Sequence, residues 1–128
     1  MIKYEVEKSY SDPEYALTEE ELLECLREDS LFDLITYSAG SGLYDSEEEA
    51  RAEIEEKQSY IRKLDEGNYE IVLYSIYYGE AVIQKDKLNN GEIVEYESLD
   101  ELNELVRAPF DEDTRKLLEE LKINAGIS

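Results

Sequence analysis

The run Ile71-Val72-Leu73-Tyr74-Ser75-Ile76-Tyr77-Tyr78 is apolar or aromatic at nearly every position, odd and even alike. Successive side chains of a strand point to opposite faces, so a run of this kind predicts a strand covered on at least one side and central in its sheet. Something must lie on it, and the best candidate comes just before. Ser46-Glu47-Glu48-Glu49 has the form of a capping box: the serine hydroxyl accepts from the amide three residues on, and the last glutamate reaches back. Ala50, Ile54, Ile61 and Leu64 then recur at helical spacing, which predicts one long helix stopped by Gly67-Asn68. Its other side carries Glu48, Glu49, Glu53, Glu55 and Glu56.

Elsewhere the patterning is shorter. Ile2, Tyr4 and Val6 alternate with charged residues and predict a strand with one buried face; Ser9 to Tyr15, with Pro13, is a connection. Thr18-Glu19-Glu20-Glu21 is a second capping box, opening a helix to about Arg27 with Leu22, Leu23 and Leu26 inward. Leu31 to Tyr37 reads as a strand and Ala39-Gly40-Ser41-Gly42 as a turn. That turn is not a phosphate loop, because no lysine follows and the next helix start is crowded with glutamates. Gly79-Glu80 suggests a tight hairpin with Ala81 to Lys85 returning, and Asn89-Asn90-Gly91 a second turn before a last strand at Ile93 to Tyr96. Ser98-Leu99-Asp100-Glu101 opens a predicted helix with Leu99, Leu102, Leu105 and Val106 inward, ended at Ala108-Pro109. Asp111 caps a final helix through Leu121, and Asn124 to Ser128 should fray. The expected architecture is α+β: a small antiparallel sheet of about four or five strands with helices packed on one side, residues 1–128 forming a single acidic domain.

Charge sets the partner class. The chain has 34 acidic and 13 basic residues, a formal charge of −21. Division at Glu66 gives 20 acids and 7 bases before it and 14 acids and 6 bases after, −13 and −8, so the surplus belongs to the whole surface and not to a tail. Direct nucleic-acid binding and attachment to an anionic membrane both need a basic face, and are not expected. One cysteine, Cys25, gives no internal disulfide; no apolar run has the length of a membrane span, and the first residues lack a signal-peptide core. The expected location is the cytoplasm of a bacterial host cell.

Catalytic options are few. The chain contains no histidine, which removes histidine-based triads and metal sites. Carboxylate chemistry, as in glycoside cleavage, is uninformative as a signal, since among 34 acids some pair always lies at a suitable distance. Asp111-Glu112-Asp113 lacks the glycine and spacing of a calcium loop. No enzyme activity, cofactor or metal is expected. Eleven tyrosines without a tryptophan are more telling. Tyr4, Tyr74, Tyr78 and Tyr96 fit half-buried strand positions, whereas Tyr10, Tyr15, Tyr37, Tyr44 and Tyr60 have no periodic place in a core. Tyrosine beside carboxylate suits a protein interface, giving apolar area at small entropic cost and a surface on which arginine stacks.

Glu49, Glu53, Glu56 and Tyr60 follow one another at helical spacing with few lysines between them. A charge run is ordinarily a solvated face. Neighbouring carboxylates one turn apart are about 5–6 Å from each other, so such a face also approximates a row of phosphates. A protein built to receive phosphates on lysine and arginine accepts fixed carboxylates in their place.

Tyr96-Glu97-Ser98-Leu99-Asp100-Glu101-Leu102-Asn103-Glu104-Leu105 resembles a segment of the ArdA-type antirestriction proteins, acidic DNA mimics of mobile elements that inhibit restriction enzymes. In size and acidity the chain is also similar to phage anti-CRISPR and antirestriction proteins. The resemblance implies a non-enzymatic inhibitor whose partner is a basic nucleic-acid-binding protein: a CRISPR effector, a restriction enzyme or a nuclease. The expected partner-binding residues are Tyr44, Asp45, Glu48, Glu49, Glu53, Glu55, Glu56 and Tyr60, with Glu19, Glu20 and Glu21 as a second patch. The alternatives are an immunity protein that neutralises a nuclease toxin, a small domain charged only for solubility, and, more remotely, a carboxylate-based metal enzyme.

Overall fold

A computed structural model describes residues 1–12, 14, 17–64 and 67–127, the side chain of Ser41 excepted. Pro13, Tyr15 and Ser128, which figure in the expectations above, lie outside the described residues. The elements run β1 (Ile2–Tyr10), β2 (Leu17–Thr18), α1 (Glu19–Glu28), a 3-10 turn (Leu31–Leu34), β3 (Tyr37–Tyr44), α2 (Glu47–Glu56), β4 (Tyr60–Lys63), β5 (Asn68–Lys87), β6 (Ile93–Arg107) and α3 (Glu112–Ala125). This is an α+β fold on one antiparallel sheet, larger than expected, with six strands among the described residues.

The apolar run is the middle of the sheet. Along one edge β5 pairs with β2 and then β1, along the other with β4 and then β6, and β3 continues from β1. From Ile71 to Ile76 its side chains are mostly apolar on both faces, and the two faces are covered by different helices. Tyr69, Ile71 and Leu73 join Leu17, Leu22, Ile61 and Leu121 in one core, to which α1, α3 and the 3-10 turn contribute. Tyr74 and Ile76 point the other way and meet Val6, Ala50, Ile54 and Ala108 under α2. The helices thus divide between the two faces instead of gathering on one.

Several expected assignments are corrected. The long helix ends at Glu56, and Tyr60 to Lys63 form a strand on β5 that places Ile61 in the first core. Gly79-Glu80 is not a turn: β5 runs through it, because β1 pairs as far as Glu80 and β6 pairs beyond. Ser98 to Val106 is strand and not helix. Between Tyr78 and Glu80 the register on β6 falls from Asn103 to Asp100, one residue more than β5 uses, and Glu101 there has φ 51°. A bulge adds one residue, so the spacing of three between Leu99 and Leu102 mimics a helical period inside a strand. Gly79 is the matching concession on β5: a Cβ there would meet the Asp100 carbonyl oxygen at 2.6 Å.

Leu31–Leu34 is a 3-10 turn and not a strand, while Ala39 to Gly42 lie within β3, with Gly42 at φ 115° where β3 spends an extra residue against β1. The Asn89-Asn90-Gly91 turn is present, but the strand after it extends to Arg107. Both outer helices begin as the sequence indicates: Thr18 Oγ1 accepts from Glu21 N at 3.1 Å, and an Asp111 carboxylate oxygen accepts from Thr114 N at 2.9 Å. The last helix holds through Ala125, closed by Gly126 at φ 70°, instead of fraying from Asn124. Among the described residues no helix is long and apolar enough to cross a membrane.

Candidate functional site

The second helix carries the acidic surface because its underside is pinned. Ala50 and Ile54, fully and almost fully buried, sit on Val6, Ile76 and Ala108, with Tyr4, Tyr44 and Tyr74 around them. Ser46 Oγ accepts from Glu49 N at 3.3 Å, fixing the first turn. Helical geometry then sends Glu48, Glu49, Glu55 and Glu56 outward, and all four are exposed. No ion pair to any of them occurs among the described residues.

The expected site residues separate into groups. Glu53, the middle of the expected stripe, is partly covered and bound to Lys57 at 2.5 Å, which in turn raises the lysine's pKa above its ordinary value. Asp45 lies 3.4 Å from Lys3, whose ammonium also holds Glu97 at 2.7 Å. Tyr44 is half-buried against the α2 core. Tyr60 does not follow Glu56 on a helix, since it begins β4; burial and then the Glu70 carboxylate push its phenol up. Glu19, Glu20 and Glu21 sit at the start of α1, across the sheet from α2, so one flat partner surface cannot engage both patches. Of these, Glu19 accepts from the Tyr69 hydroxyl at 3.2 Å and Glu21 from that of Thr18 at 3.2 Å.

The ends of the helices distinguish the structural role of a glutamate from a surplus one. A helix N-terminus carries partial positive charge, and carboxylates there are stabilising by about 0.3–1 kcal/mol each; at the C-terminus the sign reverses. The first-turn acids of α1, α2 and α3 follow this rule, and the last turns of α1 and α3 carry Arg27 and Lys122. The last turn of α2 has no basic residue and ends on Glu55 and Glu56. Folding therefore gives no reason for that pair.

Past that end of the helix, the sheet surface is tyrosine. The cross-strand register sets Tyr37, Tyr10, Val72 and Tyr60 side by side across β3, β1, β5 and β4. The rings of Tyr10 and Tyr37 are 5.7 Å apart, and the guanidinium of Arg62 rests 4.6 Å from the Tyr60 ring centre. Arg62 is held by Asp111, whose carboxyl it keeps far below the usual carboxylate range. Val72 and Glu70 are functional candidates that the sequence reading passed over, and Tyr10, set apart there as a tyrosine without a place in the core, was not among the expected partner-binding residues. The signal for Tyr10 was present, as Lys8 and Tyr10 continue the alternation of Tyr4 and Val6.

Among the described residues no three carboxylates or thiols converge as a metal site would require, and burial pushes the Cys25 thiol above its ordinary pKa. Comparison with protein-family models, curated proteins and solved structures finds no match to this chain.

Proposed function

We propose that the protein is a non-enzymatic inhibitor that places the outer face of α2 in the basic nucleic-acid-binding groove of a DNA-processing protein, in the cytoplasm of a bacterial host. The observation that supports this is the pair Glu55 and Glu56, at the end of the helix where carboxylates are unfavourable, without a cationic partner among the described residues. With Glu48 and Glu49 they put four carboxylates, unpaired among the described residues, on a helix of 10 residues, about 15 Å long. They form two pairs seven residues apart, about 10 Å along the axis, which is about three of the 3.4 Å intervals between charges on a single DNA strand. Among the described residues none of the nine ion pairs includes these four glutamates. A restriction enzyme, a CRISPR effector or a toxin nuclease fits this face equally well.

The test is capture of such proteins from a bacterial lysate on the immobilised chain, followed by elution with duplex DNA. Capture should weaken steeply as salt rises, and DNA should displace the bound protein. Reversal of Glu48, Glu49, Glu55 and Glu56 to lysine should leave the circular dichroism spectrum unchanged and abolish capture. Undiminished capture by that variant, or a bound protein that DNA does not release, would refute the assignment.

A further inference from the structure

We infer that the cavity between Tyr10 and Tyr60 is a socket for one arginine side chain of the partner protein. The cavity, of about 300 Å³, is lined by the cross-strand neighbours Tyr10, Val72 and Tyr60 together with Lys8, Asp12 and Glu70. The rings on this surface already hold cations of the chain itself. Arg62 lies over Tyr60, and the Lys8 ammonium stands 5.5 Å from the Tyr10 ring centre. The faces of tyrosine rings attract cations through their quadrupole, and a planar guanidinium also stacks on them.

Glu70 supplies the charge. It is the direct cross-strand neighbour of Arg62, the position where an ion pair would be expected, yet Arg62 turns away to Asp111 and to Thr114 Oγ1 at 3.1 Å. Glu70 is thus left without a cation among the described residues, close enough to Tyr60 to push its phenol upward. A guanidinium entering the cavity meets Val72, the two tyrosines and a carboxylate that can accept its N–H groups.

The socket is continuous with the acidic face. Tyr60 also lines a neighbouring cavity with Glu56, Lys57, Arg62, Tyr74 and Asp111, so one tyrosine separates the end of α2 from the socket. Arginine as occupant rests on the proposed reading of α2, since a protein that grips phosphates presents arginines at its groove; the chemistry of the socket stands apart from it.

The experiment is a titration of the full chain, carrying ring-labelled tyrosine, with arginine amide, followed by NMR. Tyr10 and Tyr60 should shift saturably while Tyr77, on the far side of β5, stays in place. Lysine amide should bind more weakly, and Glu70→Gln should weaken the arginine response about fivefold or more. Shifts spread evenly over all tyrosines, or a Glu70→Gln variant that responds like the wild type, would overturn the assignment. A variant with Glu48, Glu49, Glu55 and Glu56 changed to glutamine separates the two proposals: it should lose partner capture and keep the arginine response.

Discussion

On one face of the sheet α1 and α3 lie over Tyr69, Ile71 and Leu73, and the core between them is leucine and isoleucine. On the other, α2 alone covers Val6 and Ile76, and the surface past its C-terminal end is Tyr10, Tyr37, Tyr60 and Tyr74. Apolar aliphatic side chains have to be sealed from water, whereas a tyrosine ring can cover a strand and keep its hydroxyl wet. One face is therefore finished within the chain. The other presents side chains that tolerate exposure and also take up a partner.

The sharpest way to break that comparison is a pair of truncations. Ile71→Ala, at a fully buried position in the sealed face, should cost about 2–5 kcal/mol in urea unfolding, whereas Tyr10→Ala on the open face should cost about 1 kcal/mol or less. Equal losses would mean that the tyrosine face is a core in its own right. A smaller effect is expected where α3 joins the sheet edge. Thr114 is fully buried, and its hydroxyl accepts from Ile61 N at 2.9 Å, so Thr114→Val should cost about 1–3 kcal/mol by stranding that amide.

Two carboxylates should respond to pH with opposite signs. Asp111 is held below its ordinary 3.8 by Arg62, so its contribution is complete above that value and is lost as pH falls through the folded pKa. The stability gap between wild type and Asp111→Asn should stay constant from neutral pH to about pH 4 and close below it. Glu5 is pushed above its ordinary 4.5 by burial and by Glu7, so it opposes folding above its folded pKa and ceases to do so once pH falls below 4.5. Glu5→Gln should raise the melting temperature at neutral pH and lose that advantage in acid. The smallest change is expected from Glu55→Lys with Glu56→Lys. Stability should rise slightly, by about 0.3–1 kcal/mol per charge at a helix end, while partner capture falls. A loss of stability in that variant would mean the pair serves the fold after all.

What was legible in the sequence was whatever depends on neighbours in the chain. Thr18 and Asp111 cap their helices, Asn89-Asn90-Gly91 turns, and Ile71 to Tyr78 is central, because hydroxyl reach, left-handed backbone and two-sided burial are written in consecutive residues. What was not legible depends on distant pairing. The bulge at Glu101 forms against Gly79, and it turned a strand's alternation into an apparent helical one. Ile61 sits at helical spacing from Ile54, and only its pairing with Ile71 makes it strand. The acids of α2 were visible as a group, but not that Lys57 would take Glu53 out of the stripe or that Arg62 would pair with Asp111 and not with its cross-strand neighbour Glu70.

β5 is the strand to which β1, β2, β4 and β6 all attach. During synthesis the ribosome delivers β2 and β4 before any template for them exists, and about two-thirds of the chain has been polymerised by the time Lys87 appears. Until then the nascent segment, rich in like charge, has only the β1–β3 pairing to fold onto. Emergence of one strand thus converts an acidic, unpaired polymer into a sheet, and the shortest nascent chain that resists protease should be one stalled far enough beyond Lys87 for the whole of β5 to have left the exit tunnel.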